Sequence, residues 1–254
     1  MSSPALTALA RALADREPTV VDLTQPLSEA TPVLVLPEPF ANTPALSRRP
    51  LSRYDERGPA WAWDVLELGE HTGTHFDAPI HWVTGRDGED VASAPPERLV
   101  APVALIDKSA EAAADPDWCL SVDDIRAFES EHGALPDGGW LFLRTGWDAR
   151  AGDQDAFLNG GRTPGITSEC ARWLAEESVV VGYGVETVGT DAGAAHSFDP
   201  PFPAHHFLLG AGKYGLTQLA NLDRLPPTGA VVVVAPLKLV RGTGSPSRVL
   251  ALVP

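Results

Sequence analysis

Cysteine is scarce: the 254 residues contain two, Cys119 and Cys170. Two cysteines give neither a disulfide framework nor a CxxC or zinc-knuckle ligand set, so both are expected as reduced thiols without a nucleophilic role. Basic residues are also few, 19 Lys and Arg against 34 Asp and Glu, for a net charge of −15. Nucleic-acid binding rests on Lys and Arg set against phosphate, and adhesion to anionic lipid needs the same side chains. Neither partner is expected, and the charge serves solubility. Long apolar runs are missing: the most notable one, residues 230–236, falls far short of the roughly 18 residues of a membrane helix. Residues 1–16 have no basic start and no continuous apolar core, so no secretory signal is read there and a cytoplasmic location is expected. There is no GxSxG elbow, and Gly182-Tyr183-Gly184 is too short for a dinucleotide fingerprint.

The chain does have the 44% hydrophobic and 21% charged composition of a globular protein, with length enough for one large core. Three of its seven histidines fall within eleven residues, His71-Thr72-Gly73-Thr74-His75-Phe76-Asp77-Ala78-Pro79-Ile80-His81. Imidazole and carboxylate together suit zinc, manganese or iron(II). His71, His75, Asp77 and His81 share one parity and would face one side of a strand. A straight strand would spread His71 and Asp77 over roughly 20 Å, whereas ligands sit about 2 Å from a metal. A helix is disfavoured by Thr-Gly-Thr and would turn Asp77 away. A bend at Gly73 is therefore expected, with His71, His75 and Asp77 around one metal and His81 beyond the bend. Thr72 and Thr74 read as turn groups or as supports behind the ligands.

Elsewhere Leu6, Leu9 and Leu13 predict an amphipathic helix over residues 4–15. Strands are expected at 20–23, 100–106, 140–144, 178–181, 230–235 and 249–253. Helices are expected after Ser121, stopping at Gly133, and over 167–177. Residues 30–60 and 148–165 read as irregular loops, the first of the kind that often forms a lid. Trp61 and Trp63 alternate with small residues, which fits either an aromatic pocket or a strand buried on one face. Asp191 and Asp199 fall in a loop before a second histidine block. No composition break marks a second domain, so a helical segment, 1–17, and one mixed α/β domain, 18–254, are expected.

The histidine-rich stretch resembles the HxGTHxDxPxH signature of the cyclase family, which includes bacterial kynurenine formamidases and isatin hydrolases. The run HTGTHFDAPIHW most resembles the isatin hydrolase branch. The similarity extends to Val21-Asp22-Leu23-Thr24, Leu143-Arg144-Thr145-Gly146-Trp147, Phe202-Pro203-Ala204-His205-His206 and Leu219-Ala220-Asn221-Leu222. It implies a swivelling β/β/α-type fold, usually homodimeric, with metal ligands at His71, His75 and Asp77 and a catalytic histidine at His81. A second metal in the formamidase branch would fall to His205 and to a glutamate whose place is taken here by Thr217. A neutral hydroxyl cannot replace that carboxylate, so the resemblance implies one divalent ion, manganese or zinc. Gln218 then becomes its fourth ligand, and His205 a group for the substrate or for a second ion. The expected activity is metal-dependent hydrolysis of a small aromatic, isatin-like cyclic amide by activated water. Hydrolysis of an N-formylkynurenine-type arylformamide is the alternative, followed by a cyclase or lyase reaction and by non-catalytic ligand binding.

Overall fold

The computed structural model describes residues 3–254. In chain order the strands are β1 (Thr19–Asp22), β2 (Ser47–Arg53), β3 (Ala62–Glu67), β4 (His75–Asp77), β5 (Val100–Asp107), β6 (Cys119–Leu120), β7 (Trp140–Arg144), β8 (Gly165–Ile166), β9 (Gly182–Val185), β10 (Tyr214–Thr217), β11 (Ala230–Pro236) and β12 (Gly244–Val253). The helices are α1 (Pro4–Asp15), α2 (Pro96–Leu99), α3 (Ser109–Ala114), α4 (Val122–His132), α5 (Gln154–Leu158) and α6 (Ser168–Glu176).

Eight strands form one sheet in the order β1-β12-β11-β5-β7-β9-β10-β4, and an extra β12–β4 pairing closes it into a barrel. β12 is long enough to serve both tasks: residues 244–246 pair with β4, while residues 250–253 pair with β1. The central pairs β5–β7, β7–β9 and β9–β10 are parallel. Parallel strands covered on both faces read as continuous apolar runs, and Trp140-Leu141-Phe142-Leu143 is buried throughout. The period-2 alternation of a strand sorts these side chains into two cores. Val103, Trp140 and Phe142 enter the barrel with Phe76 and Tyr214. Ala104, Leu141 and Leu143 face α4 and α6, meeting Ile125, Phe128, Cys170 and Leu174.

α4 starts as expected. Ser121 accepts from the Asp124 amide at 3.2 Å, and the Asp124 carboxylate accepts from the Ser121 amide at 3.0 Å. Gly133 ends the helix at φ +90°.

Several sequence expectations need correction. Residues 178–181 are not a strand; the strand lies at Gly182–Val185. Its glycines face bulky partners, since a Cβ on Gly182 would lie 2.4 Å from the Trp140 ring and one on Gly184 2.5 Å from Phe142. Ring volume across the pairing, invisible to a one-strand reading, selects glycine there. Residues 30–60 are not irregular to their end, because β2 and β3 form a hairpin from Ser47. Arg48, Arg49 and Pro50 mask its first strand by breaking any apolar alternation. β3 is not buried on one face within the chain: Trp63 is 57% exposed. The loop over 148–165 holds α5, capped by Asp153, whose carboxylate accepts from the Ala156 amide at 3.0 Å. No described helix is long and apolar enough to cross a membrane.

Candidate active site

The histidine motif folds around one left-handed residue. Gly73 has φ +64°, which favours glycine, and a Cβ there would strike Leu27 at 2.4 Å. The chain turns at this point, runs as a strand only for His75–Asp77, and turns again in a 3₁₀ segment, Pro79–His81. The expected bend is present. Thr74 locks it from behind by donating to the Gln218 carbonyl at 2.5 Å and accepting from the Gln25 amide at 2.8 Å. The Thr72 hydroxyl is buried without a hydrogen-bond partner among the described residues.

β4 lies antiparallel to both β10 and β12, with Asp77 opposite Gly215 and Gly244. Both glycines make room: a Cβ on Gly215 would sit 2.8 Å from Asp77 Oδ2, and one on Gly244 would sit 2.4 Å from the His71 ring. The sequence gives no hint of these pairings, because the register that sets glycine against ligand arises only on barrel closure.

Hydrogen bonds fix which ring nitrogens can bind a cation. His75 Nδ1 donates to the Gly73 carbonyl at 2.7 Å, so Nε2 carries no hydrogen; it lies 3.4 Å from Asp77 Oδ1 and 3.1 Å from the Thr217 hydroxyl. His71 Nε2 lies 2.9 Å from the Thr243 hydroxyl oxygen, and that hydroxyl gives its hydrogen to Glu70 at 2.6 Å. His71 Nε2 is therefore the donor, and Nδ1 faces Asp77 Oδ1 at 2.8 Å. Asp77 Oδ1 thus stands between a nitrogen of His71 and a nitrogen of His75. Imidazole nitrogens around a carboxylate are a donor set that suits zinc or manganese. Among the described residues, His71, Asp77 and His81 bring ligand atoms within 4.8 Å of one another, and His75 Nε2 adds a fourth candidate 3.4 Å from Asp77 Oδ1.

His81 stacks on His71, and its ligand atom lies within 4.8 Å of those of His71 and Asp77. Burial pushes His81 down to about 3, helped by the His71, His205 and His75 charges and opposed by Asp77. Burial also lowers His75. Burial disfavours the Asp77 carboxylate, but His75, His71 and His81 outweigh it and hold Asp77 well below the usual carboxylate range.

Of the His205-His206 doublet, His205 reaches the site. Its ring centre is 5.4 Å from that of His81 and 4.8 Å from that of Trp82, whereas His206 packs on Phe207. His205 opens a single π-helical turn, His205–Leu209, absent from the sequence reading. Asp191 anchors it, accepting from the Ala204 amide at 2.7 Å, the His205 amide at 3.2 Å and His205 Nδ1 at 2.5 Å. Burial opposes a charge on His205, and Asp191 more than offsets it, so His205 lies above its ordinary value. Nothing in the amino-acid string pairs Asp191 with a histidine fourteen positions on.

Thr217 and Gln218 part company at the end of β10. The Thr217 hydroxyl touches both His75 nitrogens, at 2.9 and 3.1 Å. Gln218 adopts φ +53° and is buried; its carbonyl accepts from Thr74, and its side-chain amide makes no hydrogen bond among the described residues. Trp82 and Phe202, ring centres 5.7 Å apart, add an aromatic wall beside His205.

A bent strand presenting two oriented imidazoles and a carboxylate, with further histidines at hand, is the site of a metal-dependent hydrolase class. The chain belongs to the cyclase family, whose model matches residues 21–192. It is 50% identical to an isatin hydrolase from Roseibium aggregatum, over 98% of this chain and 97% of that protein. A kynurenine formamidase from Salinibacter ruber is 31% identical over 72% of this chain and 76% of its own. A crystal structure of an isatin hydrolase bound to the product analogue thioisatinate superposes with a TM-score of 0.96 at 49% identity, covering 100% of both chains. The mixed α/β, barrel-closed architecture is shared with that solved structure.

Proposed function

We propose that this chain is a hydrolase that opens an isatin-type ring, adding water across a cyclic amide fused to an aromatic ring. The observation that carries this reading is that Asp77 Oδ1 lies 2.8 Å from His71 Nδ1 and 3.4 Å from His75 Nε2, with the ligand atom of His81 close to those of His71 and Asp77. The 50% identity to an isatin hydrolase over nearly the whole chain supports the substrate class. His71, His75 and Asp77 hold one divalent ion, manganese or zinc, with the Gln218 amide oxygen as fourth ligand. Bound there, such an ion lowers the pKa of water toward neutrality and polarises the amide carbonyl.

The remaining work falls to side chains. Burial keeps His81 neutral at physiological pH, so its ring enters the reaction as a proton acceptor. It takes one proton from water as the new C–O bond forms and returns it to nitrogen as the C–N bond breaks. The second water proton departs when the new carboxylic acid ionises. The product is an aryl amine bearing an anionic acid. His205, with its charge favoured by Asp191, faces that anion, and Trp82 and Phe202 flank the aryl ring.

Purified protein loaded with manganese or zinc is given isatin and N-formylkynurenine in parallel, in ¹⁸O-labelled water. Isatin turnover with label in the new carboxylate is expected. Turnover of the formyl substrate alone, or product without label, rejects the reading.

The active form is a homodimer. Leu6, Leu9 and Leu13 are exposed along α1, which buries none of its own residues, and a twelve-residue helix is marginal alone in water. Trp61 and Trp63 on the hairpin are also exposed, and a groove of about 640 Å³ is lined by Leu27, Leu66, Leu68 and Leu237. A second copy of this chain covers these residues; sedimentation at the mass of one chain would refute this. Residues 1–17 are then a docking segment on a catalytic domain of residues 18–254. Two unpaired cysteines, Cys119 raised to about 11 by burial, suit the reducing cytoplasm.

A further inference from the structure

Thr243 immediately precedes β12 and touches the histidine motif at two points, and Glu70, the residue before the motif, at two more. Its carbonyl accepts from the Ala78 amide at 2.9 Å. Its amide and hydroxyl both donate to Glu70 Oε2, at 3.0 and 2.6 Å. Its hydroxyl oxygen lies 2.9 Å from His71 Nε2. A threonine hydroxyl has one hydrogen, and Glu70 takes it. The contact with His71 then has one polarity, Nε2–H donating to oxygen, and Nδ1 is left bare on the side of Asp77. The next residue, Gly244, supports the ring: a Cβ there would lie 2.4 Å from His71 Cε1 and 2.7 Å from Nδ1. The imidazole rests on bare backbone.

We propose that Thr243, held by Glu70, is a positioning residue for the cation site, fixing the tautomer and rotation of His71 so that Nδ1 is presented to a divalent ion. This rests on the reading of His71, His75 and Asp77 as ligands. Thr243 is 172 positions from His71 and lies beyond the segment matched by the family model. The C-terminal strand thereby acts on the site without supplying a ligand. Without the Thr243 oxygen, His71 can carry its proton on Nδ1, where it blocks coordination. Partners of this kind behind a ligand commonly change metal affinity by about 10–100-fold.

The test measures Mn²⁺ affinity of chelator-stripped protein by competition with a metal-binding dye. T243V keeps the shape and loses the hydroxyl; T243S keeps the hydroxyl. T243V is expected to bind Mn²⁺ about 10–100-fold more weakly and T243S as wild type does, with unchanged circular dichroism in the metal-free state. E70A frees the Thr243 hydrogen to select the other tautomer, and it too is expected to weaken binding; it carries the test should T243V not fold. Wild-type affinity in T243V or E70A, with binding lost in D77A, overturns this inference alone. Wild-type affinity in D77A overturns the ligand reading beneath it.

Discussion

The imidazole of His81 lies stacked on that of His71, with ring centres 3.9 Å apart and planes inclined by 29°. The 3₁₀ turn at Pro79–His81 creates this stack by folding the chain back over the bend at Gly73. One histidine is committed by hydrogen bonds to its ligand tautomer. The other is half-buried beside it and kept neutral.

H81A is therefore expected to keep its metal and lose roughly 10²–10⁴-fold in kcat, the usual contribution of acid–base catalysis. Metal content and turnover are measured on the same preparation. Full metal with a near-wild-type rate would remove His81 from the reaction.

Asp191 gives a second expectation. D191N puts an amide N–H where the carboxylate now accepts three hydrogen bonds, two from main-chain amides and one from His205 Nδ1. His205 loses its favoured charge, and kcat/KM on isatin should fall by about tenfold or more, the scale of one hydrogen bond to a charged group, with metal content unchanged. Equal kcat/KM in D191N and wild type would show that the dyad does not serve the substrate.

How much of this was legible beforehand follows from the range over which each feature is specified. The Gly73 bend, the α4 capping box and the α1 stripe are written in neighbouring residues, and they were readable. The two-faced burial of β7 was partly so, as an apolar run without its partners. Gly215 and Gly244 gain meaning only against Asp77 and His71, once β4 sits between β10 and β12. The same holds for Asp191 with His205 and for Thr243 with His71: short polar side chains paired by topology leave no periodic trace. Thr217 against Gln218 could not be separated by spacing, and the β10 register is what turns the Thr217 hydroxyl toward His75.

Glu186, immediately after β9, provides a test independent of activity. It is buried and accepts from the Thr145 amide at 2.6 Å, the Thr145 hydroxyl at 2.9 Å and the Trp147 amide at 3.2 Å. Burial, aided by nearby Asp148, still raises it from 4.5 to about 7. A carboxyl that binds its proton more tightly when folded stabilises the protein fully below pH 4.5, and this contribution is lost as pH rises toward 7. The loss is roughly 3 kcal/mol at most. Urea unfolding of metal-loaded wild type and E186Q at pH 5 and pH 8 should show the glutamine variant gaining on wild type at the higher pH. A constant difference between them would contradict the shift.

The central claim is that two imidazoles and a carboxylate gather one divalent ion on which ring opening depends. Elemental analysis of the purified protein, paired with its rate on isatin before and after chelation, tests this most directly. The account predicts one manganese or zinc per chain, loss of turnover when it is stripped and recovery when it is restored. Undiminished turnover by metal-free protein would contradict it.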